Sequence, residues 1–231
     1  MIELCLDTSA ATSVAIVRDG KVVGRSCNES GRHHAESITP LIREALADAG
    51  LPEEAAKAGI TRVNVGTGPA PFTGLRAGLV SARVTAHAVG APVYGVSSVD
   101  VIARQALDLL APGTRVVALS DARRKELYWG HFEAEGVDDV RLIGRLEVGD
   151  AQTLVNSLHE ERALIVAAGS LPAHSEQLLL GAELGPMVQF DPAVMSRIVT
   201  ARLERGEESL LGTEPLYLRR PDIQGQPTER L

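Results

Sequence analysis

Two aspartates, Asp7 and Asp121, each close an apolar β-like run, in Asp7-Thr8-Ser9 and in Asp121-Ala122-Arg123. Carboxylates at paired strand ends could hold a magnesium–nucleotide between two lobes, and Asp7, Thr8, Ser9 and Asp121 are the residues a weak contact of that kind would use. Phosphate chemistry there usually wants a glycine close behind the first aspartate, so that the ligand can approach the backbone. Thr8, Ser9 and Ala10 stand there instead. His33, His34 and Glu36 suggest a metal, but helical histidine pairs sit at i and i+4, and those positions are Ser37 and Ile38. No metal site is expected, and His34 and Glu36 are assigned to the start of a helix. No G-x-S-x-G elbow and no Ser-His-Asp or Cys-His arrangement is visible along the chain. Arg123, Arg124 and Lys125 read as a solvated turn before an anion contact. No catalytic residue is expected.

The stretch Gly66-Thr-Gly-Pro-Ala-Pro-Phe-Thr-Gly-Leu-Arg-Ala-Gly78 sits between a strand and a helix, where α/β proteins place ligands. A dinucleotide loop would need a third glycine at position 71, which is Pro71, and a P-loop would need a lysine, absent between Lys57 and Lys125. Pro69 and Pro71 also remove two N–H donors. Beyond the turn, Gly74, Gly78, Ala82 and Ala86 fall at four-residue spacing and share one helix face. Two readings stay open: that face packs on the protein's own sheet, or it is a close seam with another subunit.

The elements that must hold these residues follow from hydrophobic period. Strands are expected at 2–7, 14–18 and 21–26, the last two joined by Asp19-Gly20, a strong hairpin turn. An amphipathic helix then carries Ala35, Ile38, Leu41, Ile42, Ala45, Leu46 and Ala49 and stops at Gly50. A strand at 61–65, a helix to Val89, a strand at 92–96 and a helix capped by Ser97-Ser98 complete the first unit. After Pro112-Gly113 the pattern restarts with strands at 115–120, 126–133 and 140–148. A helix at 150–158, a strand at 163–167, a helix at 171–180 and a last helix from Asp191-Pro192 to Arg205 follow. The final eight or so residues are expected to be disordered. The order β-β-β-α-β-α-β-α, nearly repeated, predicts two similar α/β lobes over residues 1–110 and 111–231 with a cleft between them.

In 231 residues, 45% are apolar but only 3% aromatic, so the core must be mostly Val, Leu, Ile and Ala. A net charge of −7 argues against broad nucleic-acid binding by this chain alone. Cys5 and Cys27 read as reduced. With no signal peptide and no 18-residue apolar run, the chain is expected to be soluble and cytoplasmic, with no membrane association.

Together the blocks Leu6-Asp-Thr-Ser9, His34-Ala-Glu36, Gly68-Pro-Ala-Pro-Phe-Thr-Gly-Leu-Arg76, Gly95-Val-Ser-Ser98, Asp121-Ala-Arg123 with Glu126, and Pro215-Leu-Tyr-Leu-Arg219 resemble the TsaB family, once described as glycoprotease-like. They span nearly the whole chain in order; Ala70-Pro71 departs from the Gly-Ser expected in the third block. The resemblance implies two actin/hexokinase-like (ASKHA, ribonuclease H-like) lobes with mixed sheets flanked by helices. It also implies a non-catalytic role: binding a TsaD-like catalytic subunit, which carries a His-x-x-x-His metal pair missing here. A TsaE-like ATPase would join them to add threonylcarbamoyl to adenosine beside the anticodon of ANN-decoding tRNAs, with tRNA reached indirectly through the complex. The implied partner or homodimer interface comprises His34, Glu36, Leu41, Thr73, Gly74, Leu75, Arg76, Gly78, Leu79, Ala82 and Ala86. No cofactor is expected to bind tightly, although ATP or ADP could sit where the subunits meet. The competing class is an ATP-dependent small-molecule kinase of the same fold, followed by a peptidase.

Overall fold

The computed structural model describes residues 1–28, 34–158 and 162–219, with backbone alone at His34 and Phe72. Strands β1 (Ile2–Asp7), β2 (Thr12–Arg18) and β3 (Lys21–Asn28) form an antiparallel meander. Its β2–β3 turn is tight because Asp19 and Gly20 both take positive φ, 50° and 75°. β1 also pairs in parallel with β4 (Arg62–Gly66), and β4 with β5 (Val93–Val96), giving the order β3-β2-β1-β4-β5. The second sheet repeats the scheme with β6 (Arg115–Arg123), β7 (Glu126–Glu135), β8 (Asp139–Gly149) and β9 (Leu164–Ala167) in the order β8-β7-β6-β9. β6 is antiparallel to β7 and parallel to β9, as β1 is to β2 and β4. Isolated parallel bridges at Leu184 and Val188 continue the pattern beyond β9. The expected pair of similar α/β lobes, each with a mixed sheet flanked by helices, is present.

Helices fill the layers. α1 (His34–Asp48) and α2 (Phe72–Val89) cover one face of the first sheet, joining Ile38, Leu41, Ala45, Leu46, Leu75 and Leu79 to Leu4, Leu6, Val14 and Ile16. The opposite face, with Cys5, Ala15 and Val17, packs on α6 (Val194–Glu204) through Met195, Ile198 and Val199. α3 (Ser98–Leu107) lies against Val116, Ala118 and Phe132 of the second sheet. That sheet's outer face, centred on Trp129, is closed by α4 (Ala151–Ser157) and α5 (Glu176–Leu179). Because α6 follows the second sheet in sequence yet buries the first, a boundary at residue 110 divides the sheets but not the cores.

Buried ions pin this middle layer. The Glu3 carboxylate, fully buried, accepts from Arg62 Nε at 2.8 Å, Asn64 Nδ2 at 2.9 Å and Ser196 Oγ at 2.9 Å, tying β1 and β4 to α6. Arg202 of α6 donates to Asp139 of β8 and, at 2.8 Å, to Asp100 of α3. Burial pushes the Asp100 carboxyl upward against the opposing pull of Arg202. Removing one member of such a set would strand the others at a penalty of about 3–5 kcal/mol.

Local expectations fail at two helices. Instead of a helix over 171–180, only Glu176–Leu179 is α-helical. Pro172 and Ala173 form a turn, with Ser175 N–H bonded to Pro172 C=O at 2.8 Å, which sends Leu171 into the core. The last helix starts at Val194, because the Asp191 carboxylate takes the Ala193 amide at 3.0 Å in a preceding turn. The tail expected to be disordered lies outside the described residues, as does His33. No described helix is long and apolar enough to cross a membrane.

The two cysteines should behave differently. Burial pushes the Cys5 thiol up to about 12, whereas Cys27 is exposed. Native protein at pH 8 should therefore react with one equivalent of a thiol reagent, and denatured protein with two. Two fast equivalents in the native state would contradict the packing of β1. Because the unfolded thiol ionises near 9 and the folded one near 12, Cys5 should also lower stability as pH rises through that window.

Candidate functional site

Parallel strands point their carboxyl ends at a shared crevice, and here β1 and β6 deliver Asp7 and Asp121 to one cleft of about 380 Å³. Its walls are mostly apolar, with Ala10, Pro69, Ile102, Leu119, Ala168 and Phe190 among them. Asp7 is 3% exposed and already engaged. Its Oδ1 accepts the Ser9 amide at 2.7 Å, while Oδ2 accepts the hydroxyls of Ser98 at 2.5 Å and Ser9 at 3.2 Å. Gly66 is required beneath it, since a Cβ there would stand 1.7 Å from Asp7 Oδ2. Thr8 does not line the cleft: it is buried toward α2 and donates to Gly74 C=O at 2.9 Å. Thr8 is therefore misplaced for a nucleotide contact, while Asp7, Ser9 and Asp121 line the cleft.

Asp121 is half-exposed and holds the Arg123 amide at 2.7 Å, with His174 Nε2 at 3.4 Å and Ser175 Oγ 2.6 Å from His174 Nδ1. This Ser-His-Asp chain was not legible from sequence, because 53 residues separate Asp121 from His174. Within it Ser175 is buried at the start of α5. Ser98 was read as a helix cap, but its hydroxyl serves Asp7, and Ser97 Oγ donates to Gly68 C=O at 3.1 Å. Among the described residues, Glu135, Asp139 and Glu207 lie close enough to share a cation. Arg205 pairs with all three and Arg202 also pairs with Asp139, so these carboxylates are already engaged by guanidinium groups.

The second candidate surface is α2. Its small-residue row faces inward: Ala82 is fully buried, Ala86 and Gly78 are buried, and a Cβ on Gly78 would meet Thr8 Oγ1 at 2.2 Å. Leu41, Leu75 and Leu79 are likewise core residues. The expectation that Leu41, Leu75, Gly78, Leu79, Ala82 and Ala86 form an interface is therefore corrected, because helical spacing brings small residues against the protein's own β1 and β4 as readily as against a partner. Gly74 is half-buried, whereas Glu36, Thr73 and Arg76 are exposed. Facing outward are Val80 and Val84, 59% and 62% exposed and one turn apart. Beside them the chain's end forms a strap: Arg83 donates to Thr213 C=O at 2.7 Å, Leu216 N–H to Thr67 C=O at 2.9 Å and Arg76 Nε to Tyr217 Oη at 2.8 Å. Arg219 then reaches Ala122 C=O and Glu126 of the second lobe.

Known proteins match the chain over most of its length. The family model described as TsaD, tRNA N6-adenosine threonylcarbamoyltransferase, matches residues 22–154. An uncharacterised protein of Mycobacterium tuberculosis is 38% identical over 222 residues, 95% of this chain and 92% of the relative. The tRNA threonylcarbamoyladenosine biosynthesis protein TsaB of Haemophilus influenzae is 30% identical over 233 residues, covering 94% of this chain and 92% of that protein. A Pseudomonas aeruginosa protein with similarity to the peptidase YeaZ superposes at a TM-score of 0.71, with 26% identity over 94% of this chain and 99% of that one. With a named relative matching nearly end to end and the duplicated lobes in place, the chain belongs to the TsaB family.

Proposed function

We propose that this chain is a non-catalytic subunit in threonylcarbamoyladenosine formation on tRNA, docking a TsaD-like catalytic subunit through the outward faces of α1 and α2. The observation that carries the reading is the pair Val80 and Val84, apolar side chains left exposed on the helix that the family's most specific residue block opens. Desolvating a valine contributes about 1.5–3 kcal/mol. Glu36 and Thr73 lie on the exposed sides of the same two helices. The same face is expected to pair the isolated chain with itself, since a two-fold contact needs only one self-complementary patch. A TsaE-like ATPase would join the assembly, with ATP or ADP held where the subunits meet.

Against the kinase reading stands the cleft. Asp7 spends both oxygens on Ser9 and Ser98, and Pro69 and Pro71 offer no amide to a phosphate. The isolated chain should bind magnesium–ATP or zinc no more tightly than millimolar by calorimetry. Light scattering at high micromolar concentration should show a dimer that dissociates on dilution. Micromolar nucleotide binding would revive the kinase reading, and a strict monomer would remove the self-pairing.

A further inference from the structure

Between β6 and β7 the chain turns through Arg123, Arg124 and Lys125, all with positive φ (63°, 53° and 62°). Two-residue hairpins of this handedness select Asn-Gly or Asp-Gly, and the protein obeys that rule at Asp19-Gly20. At the tip of the second lobe it instead places long basic side chains in a conformation they disfavour. Such an outlier points from strain toward function. All three are exposed, in a chain whose net charge is −7.

The strap extends this basic tip. Arg219 bonds Ala122 C=O and pairs with Glu126 at the base of the turn. Two residues earlier, Tyr217 lies under the Arg76 guanidinium, 5.8 Å from ring centroid to Cζ. Arg123 pairs with Asp121 and Arg219 with Glu126, Arg124 and Lys125 stand exposed at the tip between these pairs, and the strap connects this end to the exposed start of α2. An anionic chain held by a subunit docked on α2 would meet this turn next.

We infer that the Arg123–Lys125 turn contacts the phosphate backbone of tRNA directly, as a sequence-independent positioning contact. This rests on the functional reading above and goes beyond it, since that reading reaches tRNA only through the partner. Phosphate contacts fix register without reading bases, which suits a subunit that supports chemistry performed elsewhere.

The test uses the assembled complex of this chain with its TsaD-like subunit and an unmodified ANN-decoding tRNA transcript. Affinity is followed by fluorescence anisotropy across a salt series. Arg124→Asn with Lys125→Gly removes both charges while giving the turn its preferred residues, so the fold should melt at the same temperature or higher. Affinity should fall about tenfold near 100 mM salt, and the slope of log K against log salt should flatten by about 1 to 2. Unchanged affinity and slope in an assembled variant complex would overturn the inference. So would loss of assembly with RNA affinity intact, which would mark the turn as a protein-docking site. Size exclusion on the same samples separates the two levels: if wild-type chain and partner do not assemble, the functional reading fails, not the turn alone.

Discussion

Ala82→Glu is expected to destabilise the first lobe severely. Ala82 is fully buried in the apolar cluster that holds Leu4, Leu6, Val63 and Leu79. The larger side chain also has no room against close-packed neighbours. An unpaired charge in such a place costs several kcal/mol even after relaxation, against a total stability of about 5–15 kcal/mol for ordinary domains. A loss near 4 kcal/mol would lower the melting temperature by about 8–16 °C for a chain of this size. Circular dichroism should show that drop, and any failure to bind a partner would then follow from unfolding. A wild-type melt for this variant would mean the row of small residues faces outward after all.

Val80→Asp with Val84→Asp should do the reverse. Both positions are mostly exposed in the isolated chain, so the melt should be nearly unchanged. Docking onto the TsaD-like subunit should weaken by about a thousandfold, equivalent to about 4 kcal/mol. Two lost valine contacts supply much of that, and desolvated carboxylates in the contact supply the rest. Calorimetric titration on folded protein checks it. Undiminished affinity would move the docking surface off α2.

The contrast between these two variants marks where the sequence was legible and where it was not. Local chemistry carried far: Asp19-Gly20 set a hairpin, and the apolar period of residues 38–46 set α1 with its inward face. The repeat of strand order set the two lobes. The direction of the Gly78–Ala82–Ala86 row was not legible, because close packing on a sheet and close packing on a partner leave the same four-residue spacing. What decides it is Thr8, filling the notch at Gly78 from 70 positions away. The cleft was half legible. Asp7 and Asp121 were visible as paired strand ends, but Ser98, 91 residues from Asp7, read only as a cap. His174 gives no local signal, and the Pro215–Arg219 block, though distinctive, does not reveal its contacts, since the partners of both lie far away in sequence. The short α5 was misread because Leu178, Leu179 and Leu180 in a row resemble a helix interior, whereas two of the three face solvent.

The proposed function requires a cleft that is not an active site and a docking face on α2. Reconstituted threonylcarbamoyl transfer to tRNA, with the TsaD-like and TsaE-like subunits and with either variant set of this chain, tests it most directly. Asp7→Asn with Asp121→Asn keeps the shapes of both carboxylates and should support transfer at close to the wild-type rate. Val80→Asp with Val84→Asp should fold normally and support almost none. Complete loss of transfer by the Asp7→Asn, Asp121→Asn chain in a normally assembled complex would contradict the account and make the cleft catalytic.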